Sequence, residues 1–328
     1  MALKKSFGII PSLVATVLAT SRTSPPSGSI TVCDSDCDFT TIQDAVSSID
    51  TSSSSESSIF IYSGTYTEQV TIPELSGKLS IYGYTEDTSD YSGNVVSLEW
   101  DSSLLSGAAD DEHTAALINT SENVAVYNID IKNTYGKGSQ AIALSAYNTE
   151  QGYYGVGLYG YQDTLLAQTG NQVYASCYIE GAVDYIFGQH ARIWITGSVI
   201  ASVGAGTITA NGRPDEDDDS YYVITDSTIE AGSPAPSAGT VYLGRPWSDY
   251  ARVAVQRSSL SDIINSAGWE EWSSSEPNTD YVTFEEYGNS GDGADGDRAD
   301  FATTMSSAID IATILGDDYA DWVDSDYV

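Results

Sequence analysis

Gly160 and Gly181 are each followed, three residues later, by an aspartate: Asp163 and Asp184, 21 residues apart. If this spacing is one turn of a stacked repeat, equivalent residues lie about 4.8 Å apart. Two carboxylates held so closely repel, and one must hold its proton more tightly than a free aspartate does. Such a pair suits general acid–base or nucleophilic chemistry. A solvated acidic ladder is the alternative in a chain with 47 Asp and Glu. Gln162 precedes Asp163, and Gln140 lies 22 residues earlier, close to one further repeat. Their amides are neutral donors for a developing oxyanion, or ordinary hydrogen-bonding groups along a stack. Arg245 is one of only 12 Lys and Arg and sits in Leu243-Gly-Arg-Pro-Trp247. A guanidinium placed there could orient a carboxylate. Trp247 and Trp269 offer faces for sugar stacking or for core packing.

Those residues need a scaffold with a fixed repeat. Short runs rich in Val, Ile, Tyr and Thr recur through the chain, at Ile59–Tyr62, Leu79–Tyr82, Val124–Ile131, Gln172–Ile179, Arg192–Val199, Tyr221–Ile229 and Arg252–Leu260. No long amphipathic helices alternate with them, which argues against a doubly wound sheet. Val156-Gly-Leu-Tyr-Gly160 aligns with Cys177-Tyr-Ile-Glu-Gly181, and Ser198, Ser227 and Ser258 continue the series at widening intervals. A period of this length predicts a solenoid of short strands, an all-β parallel β-helix with loops inserted on one face. A β-sandwich accounts less well for a near-constant period. The composition of Asp300–Ile311 predicts a helix, and the acidic, aromatic stretch from Asp317 to Val328 a segment packed on the solenoid.

Gly160-Tyr-Gln-Asp-Thr-Leu165, Gly181-Ala-Val-Asp-Tyr-Ile-Phe-Gly188 and Leu243-Gly-Arg-Pro-Trp247 resemble the signature motifs of pectin methylesterases. Gln140-Ala-Ile-Ala-Leu144 and Gly64-Thr-Tyr-Thr-Glu68 resemble two further motifs, and the likeness runs from about Ser29 to the C-terminus. Ile208-Thr-Ala-Asn-Gly-Arg213 and Ala167-Gln-Thr-Gly170 are similar to the secreted fungal branch. The resemblance implies a right-handed parallel β-helix that removes methyl esters from the galacturonate units of pectin, without metal or other cofactor. It implies Asp184 as nucleophile, Asp163 as acid then base, Gln140 and Gln162 as oxyanion donors, Arg245 as the partner of Asp184, and Trp247 and Trp269 as lining of the sugar groove. Ala182 and Tyr185 replace the commoner Thr and Phe of the plant motif. His113 and His190 lie outside the motifs, and no Gly-x-Ser-x-Gly occurs. The carboxylates alone also fit a pectin-cleaving glycoside hydrolase, and a solenoid could serve as a non-catalytic wall-binding module.

The net charge of −35 argues against nucleic acid and anionic membranes as partners. Lys4 and Lys5, an apolar run from Phe7 to Leu18 and small residues at 19–21 read as a signal peptide over residues 1–20, leaving one domain over 21–328. The expected product is a secreted extracellular monomer, off the membrane once the signal is removed. In an oxidising compartment Cys33 and Cys37 could pair, leaving Cys177 as a buried, inert thiol. Asn119-Thr-Ser121 fits the N-glycosylation pattern.

Overall fold

The computed structural model describes residues 20–328. The expected signal segment therefore lies outside the described residues, apart from Thr20. Among the described residues no helix is long and apolar enough to cross a membrane.

Every extended strand pairing is parallel, and each strand bonds to its equivalent one turn away. The turns coil into a parallel β-helix. One sheet contains 8 strands, ordered from Gly64–Thr67 at one end to Ser259–Leu260 at the other. The other contains 17 strands in two runs, which join where Leu165–Ala175 continues unbroken from one to the other. The first run includes Leu144–Tyr147, Ile186–Gly188, Gly206–Asn211 and Val241–Pro246. The second includes Val124–Tyr127, Gln151–Tyr154, His190–Thr196, Tyr221–Thr225 and Arg252–Gln256.

The register matches the sequence repeat: Leu158 pairs with Ile179, Ile179 with Ile200, Ile200 with Ile229 and Ile229 with Leu260. All five side chains are fully buried, so each turn closes its core against the next.

Several runs that read as single strands in the sequence are pairs of strands joined at a corner. Val124–Tyr127 turns at Asn128 into Asp130–Asn133, and Tyr221–Thr225 turns at Asp226 into Thr228–Ala231. Asn128, Ser176, Asp226 and Arg257 mark four such corners, with φ of 51°, 54°, 48° and 50°. One left-handed residue bends the chain, a choice that apolar patterning does not display. Beside these corners runs a buried polar ladder. The amides of Cys177, Ser198 and Ser227 donate to the hydroxyls of Ser198, Ser227 and Ser258, and the amide of Ser258 donates to Asn289 Oδ1. Buried backbone groups between strands are thereby satisfied.

The helix Ile42–Ser47 packs Ile42, Ala45 and Val46 onto the first turns. Both carboxylate oxygens of Glu68 accept its leading amides, from Ile42 at 2.8 Å and Gln43 at 2.9 Å, where the helix dipole favours an anion. Cys33 and Cys37 form a disulfide. Cys177 is fully buried, and burial pushes its thiol up to about 12. The helix expected over Asp300–Ile311 is absent. Instead Ala302–Thr304 adds a strand to Thr283–Tyr287, and a short helix spans Ile311–Leu315, capped by Asp310. The available sheet edge captured the segment in place of its helix-compatible composition. The tail does lie on the solenoid: Ile314, Leu315, Trp322 and Val323 cluster with Tyr154, Val173, Trp194 and Tyr221.

Asn119 is fully buried. Its Nδ2 donates to Tyr153 Oη at 3.1 Å and its Oδ1 accepts from the Ser121 amide at 3.2 Å. A glycan there would have to expel the side chain from the core, so the glycosylation expectation is corrected.

Gly188 has φ 140°, and a Cβ there would overlap the carbonyl of Ala167 on the preceding turn. Gly188→Ala is expected to cost about 2 kcal/mol or more. Calorimetry should show a melting temperature several degrees lower, and an unchanged value would refute this close approach.

Candidate active site

The segments entering the first run of strands place the candidate residues. The isolated bridge Gln162–Val183 and the bond from the Asp163 amide to the Val183 carbonyl set two successive turns side by side. Asp163 and Asp184 then occupy matching corners, with φ of 64° and 50°. Aspartate tolerates this left-handed conformation better than most residues. The motif glycine Gly181 is required nearby, because a Cβ there would overlap the Tyr185 side chain, which is packed in the core.

The two carboxylates meet different surroundings. Arg245 donates from Nε to Asp184 Oδ1 at 2.9 Å and from Nη2 to Oδ2 at 2.6 Å. Thr207, on the next turn, donates from Oγ1 to Asp184 Oδ1 at 2.5 Å, while its carbonyl accepts the Asp184 amide at 2.8 Å. Asp184 is thus fixed by a bidentate fork and a hydroxyl, the geometry that orients a carboxylate most firmly. Asp163 is 7% exposed and, among the described residues, has no comparable donors. Burial, then the charges of Asp184 and Asp111, push its carboxyl up to about 8, against the opposing effect of Arg245. One aspartate is thus held by oriented donors, and the other has its proton affinity raised, chiefly by burial.

Both line a cavity of about 260 Å³, together with Gln140, Gln162, Arg245 and Trp247. The expected catalytic residues are all brought together. Among the described residues, neither glutamine Nε2 has an acceptor, which leaves both amides able to donate into the cavity. Trp247 packs near Phe187, with ring centroids 6.2 Å apart. Trp269 does not reach the cavity: it is 1% exposed, stacks on Phe284 at 4.4 Å and donates from Nε1 to Glu286. Its assignment to the groove is corrected. Trp272 takes that place, with its ring 4.2 Å from the Arg245 guanidinium carbon and its carbonyl accepting Arg245 Nη1.

Thr207, Phe187, Trp272 and Asp111 were not singled out by the sequence. Thr207 could have been reached by following the repeat one turn beyond Asp184. Phe187 already stood inside a motif. Trp272 and Trp269 are an odd number of residues apart, so a locally extended chain sends them to opposite faces. Asp111 lies in Asp110-Asp-Glu112 and carries no distinguishing signal.

The described arrangement can bind an ester carbonyl between amide donors, attack it with a fixed carboxylate and supply a proton to the leaving group. Comparisons with known proteins show what the chain is similar to. The sequence profile of the Pectinesterase family matches residues 29–308. A pectinesterase of Aspergillus niger is 53% identical over 319 residues, covering 96% of both chains. One of Aspergillus aculeatus is 51% identical, covering 94% of this chain and 95% of that one. The crystal structure of the deglycosylated Aspergillus niger pectin methylesterase superposes with a TM-score of 0.88 at 43% identity, covering 94% of this chain and all of that one.

Two outcomes are expected. Asp163 binds its proton more tightly folded than unfolded, so its contribution to stability is complete below the ordinary aspartate value of 3.8 and is lost as pH rises toward about 8. Asp163→Asn should therefore melt above wild type at pH 7, by an amount worth at least about 1 kcal/mol. The gap should close toward pH 4, and a gap independent of pH would contradict the assignment. Separately, Trp269→Ala should lower stability by about 3 kcal/mol or more. Trp272→Ala should mainly reduce kcat/KM on pectin, and the reverse pattern would return Trp269 to the groove.

Proposed function

The chain belongs to the pectinesterase family, and on that premise we propose that Asp184 is the nucleophile and Asp163 the acid and base of its methyl-ester hydrolysis. The substrate is pectin, whose methylated galacturonate units lose methanol. The observation that carries the role assignment is the asymmetry of the two carboxylates. Arg245 and Thr207 orient Asp184, and burial keeps the proton on Asp163.

In the first half-reaction an Asp184 oxygen attacks the ester carbonyl carbon. The carbonyl oxygen becomes an oxyanion and takes hydrogen bonds from Gln140 and Gln162. As the intermediate collapses, the bond to methoxide breaks, and the leaving oxygen takes the proton of Asp163. Methanol departs and an anhydride joins Asp184 to the sugar. In the second half-reaction the Asp163 carboxylate removes a proton from water, and the oxygen of that water attacks the anhydride carbonyl. Collapse releases the galacturonic acid, which ionises in solvent, and restores ionised Asp184 beside protonated Asp163. Trp247 and Trp272 provide the aromatic walls against which sugar rings pack.

The same reading extends to location. Residues 1–20 serve as the export signal, residues 21–328 as the enzyme domain, and the protein works outside the cell as a monomer. The Cys33–Cys37 disulfide supports this, since an oxidising compartment sustains such bonds.

Purified protein incubated with highly methylated pectin should release methanol with no new reducing ends and no unsaturated products. New reducing ends would support glycosidic cleavage instead. Asp184→Asn should stay folded by circular dichroism and lose at least about a thousandfold in kcat, because an amide cannot form the anhydride. Retention of more than about a tenth of the rate would overturn the nucleophile assignment.

A further inference from the structure

Asp111 stands on the wall of the catalytic cavity and takes no part in the steps above. Its backbone is firmly placed. Thr114, buried at the end of the turn Glu112–Thr114, donates from its amide and its hydroxyl to the Asp111 carbonyl, at 3.0 and 2.6 Å. The same hydroxyl accepts the amide of Ile142 at 3.0 Å, and Ile142 follows Gln140 by two residues. The turn that carries Asp111 is therefore tied to the segment that carries an oxyanion donor. The side chain is not comparably satisfied: Asp111 Oδ1 is buried and has no hydrogen-bond partner among the described residues. A carboxylate oxygen left in that state is costly to keep.

The charges around Asp163 come from each neighbouring element. Asp184 faces it from the following turn, and Arg245 from Val241–Pro246, engaged with Asp184. Asp111 lines the same cavity as Asp163, from the position just before the turn Glu112–Thr114, and its charge adds to those acting on Asp163. Glu270 lies near Arg245, and Asp110 adjoins Asp111 but is paired with the exposed His113 at 2.6 Å. Among the described residues no cation forms a salt bridge with Asp111.

We propose that Asp111 is a positioning residue of this site, a third carboxylate whose uncompensated charge helps hold the proton on Asp163 until the leaving methanol takes it. The inference rests on the reading of Asp163 as the acid. Like charges sharing a partly desolvated space resist a further ionisation. Burial of Asp163 and the Asp184 charge do the larger part, and Asp111 adds to them in the same direction. Burial and Asp110 raise the Asp111 carboxyl itself, so its effect operates at pH values where it has ionised. It thus acts on the alkaline limb of the rate profile, where Asp163 loses its proton.

The test is the pH dependence of kcat in wild type, Asp111→Asn and Asp111→Glu. In Asp111→Asn the alkaline limb should move toward acid by roughly half a pH unit. The acid limb should stay in place, and Asp111→Glu should restore the wild-type position. An unmoved alkaline limb overturns the proposal, as does a uniform loss of rate at every pH, which would mark a purely structural residue. A second measurement on wild type does not require the Asp111 variants to fold. With carbon-13-labelled aspartate, and Asp163→Asn used for assignment, the Asp163 carboxyl signal should titrate in steps that include the ionisation of Asp111. A single unperturbed step would also overturn the proposal. Asp163→Asn separates the two readings: if it still turns over, the acid assignment fails, whereas if it is inactive while the Asp111→Asn limb is fixed, only the role of Asp111 falls.

Discussion

The in-register stacking of parallel turns is the constraint on which the rest of this protein depends. Each backbone strand must bond to its equivalent one turn away, so a residue's neighbour across the stack is set by the repeat. Leu158, Ile179, Ile200, Ile229 and Leu260 form one buried column because of it. The same rule brings Asp163 beside Asp184 and Asp184 beside Thr207. The proximity of the two carboxylates is a by-product of sheet geometry.

That proximity creates an electrostatic conflict that the surroundings resolve unequally. Both aspartates are nearly buried, at 7% and 6% exposure. Donors from two further turns are directed at one of them only, Asp184. The other binds its proton more tightly, because burial and the neighbouring Asp184 charge disfavour ionising it. A symmetrical pair would have two similar carboxyls. This one sets a carboxylate fixed by three hydrogen bonds beside one whose proton affinity is raised, chiefly by burial.

Much of this was legible in the sequence, because a solenoid writes its geometry as spacing. The interval between Gly160 and Gly181 located both aspartates, and the rarity of cations drew attention to Arg245. What stayed hidden was decided by side-chain direction and by single backbone angles. Trp269 entered the core while Trp272 reached the cavity, a difference that residue type does not display. The corners at Asn128 and Asp226 depend on one left-handed residue each, so strand pairs looked like continuous runs. Asn119 matched a surface motif yet is held inside by Tyr153. The segment after Asp300 had helix-compatible composition but met an open sheet edge.

The turns beyond Ser198 are longer than the one from Gly160 to Gly181, with the extra residues placed between strands, as from Asn211 to Tyr221 and from Ala231 to Val241. Pairing resumes in step after each insertion, with Ile200 opposite Ile229 and Ala210 opposite Arg245. Insertions between rungs are therefore uncoupled from the rungs themselves. A lineage can lengthen, shorten or recharge these loops while the stacked turns, and the side chains they carry, keep their places. The architecture separates change in the loops from preservation of the stack.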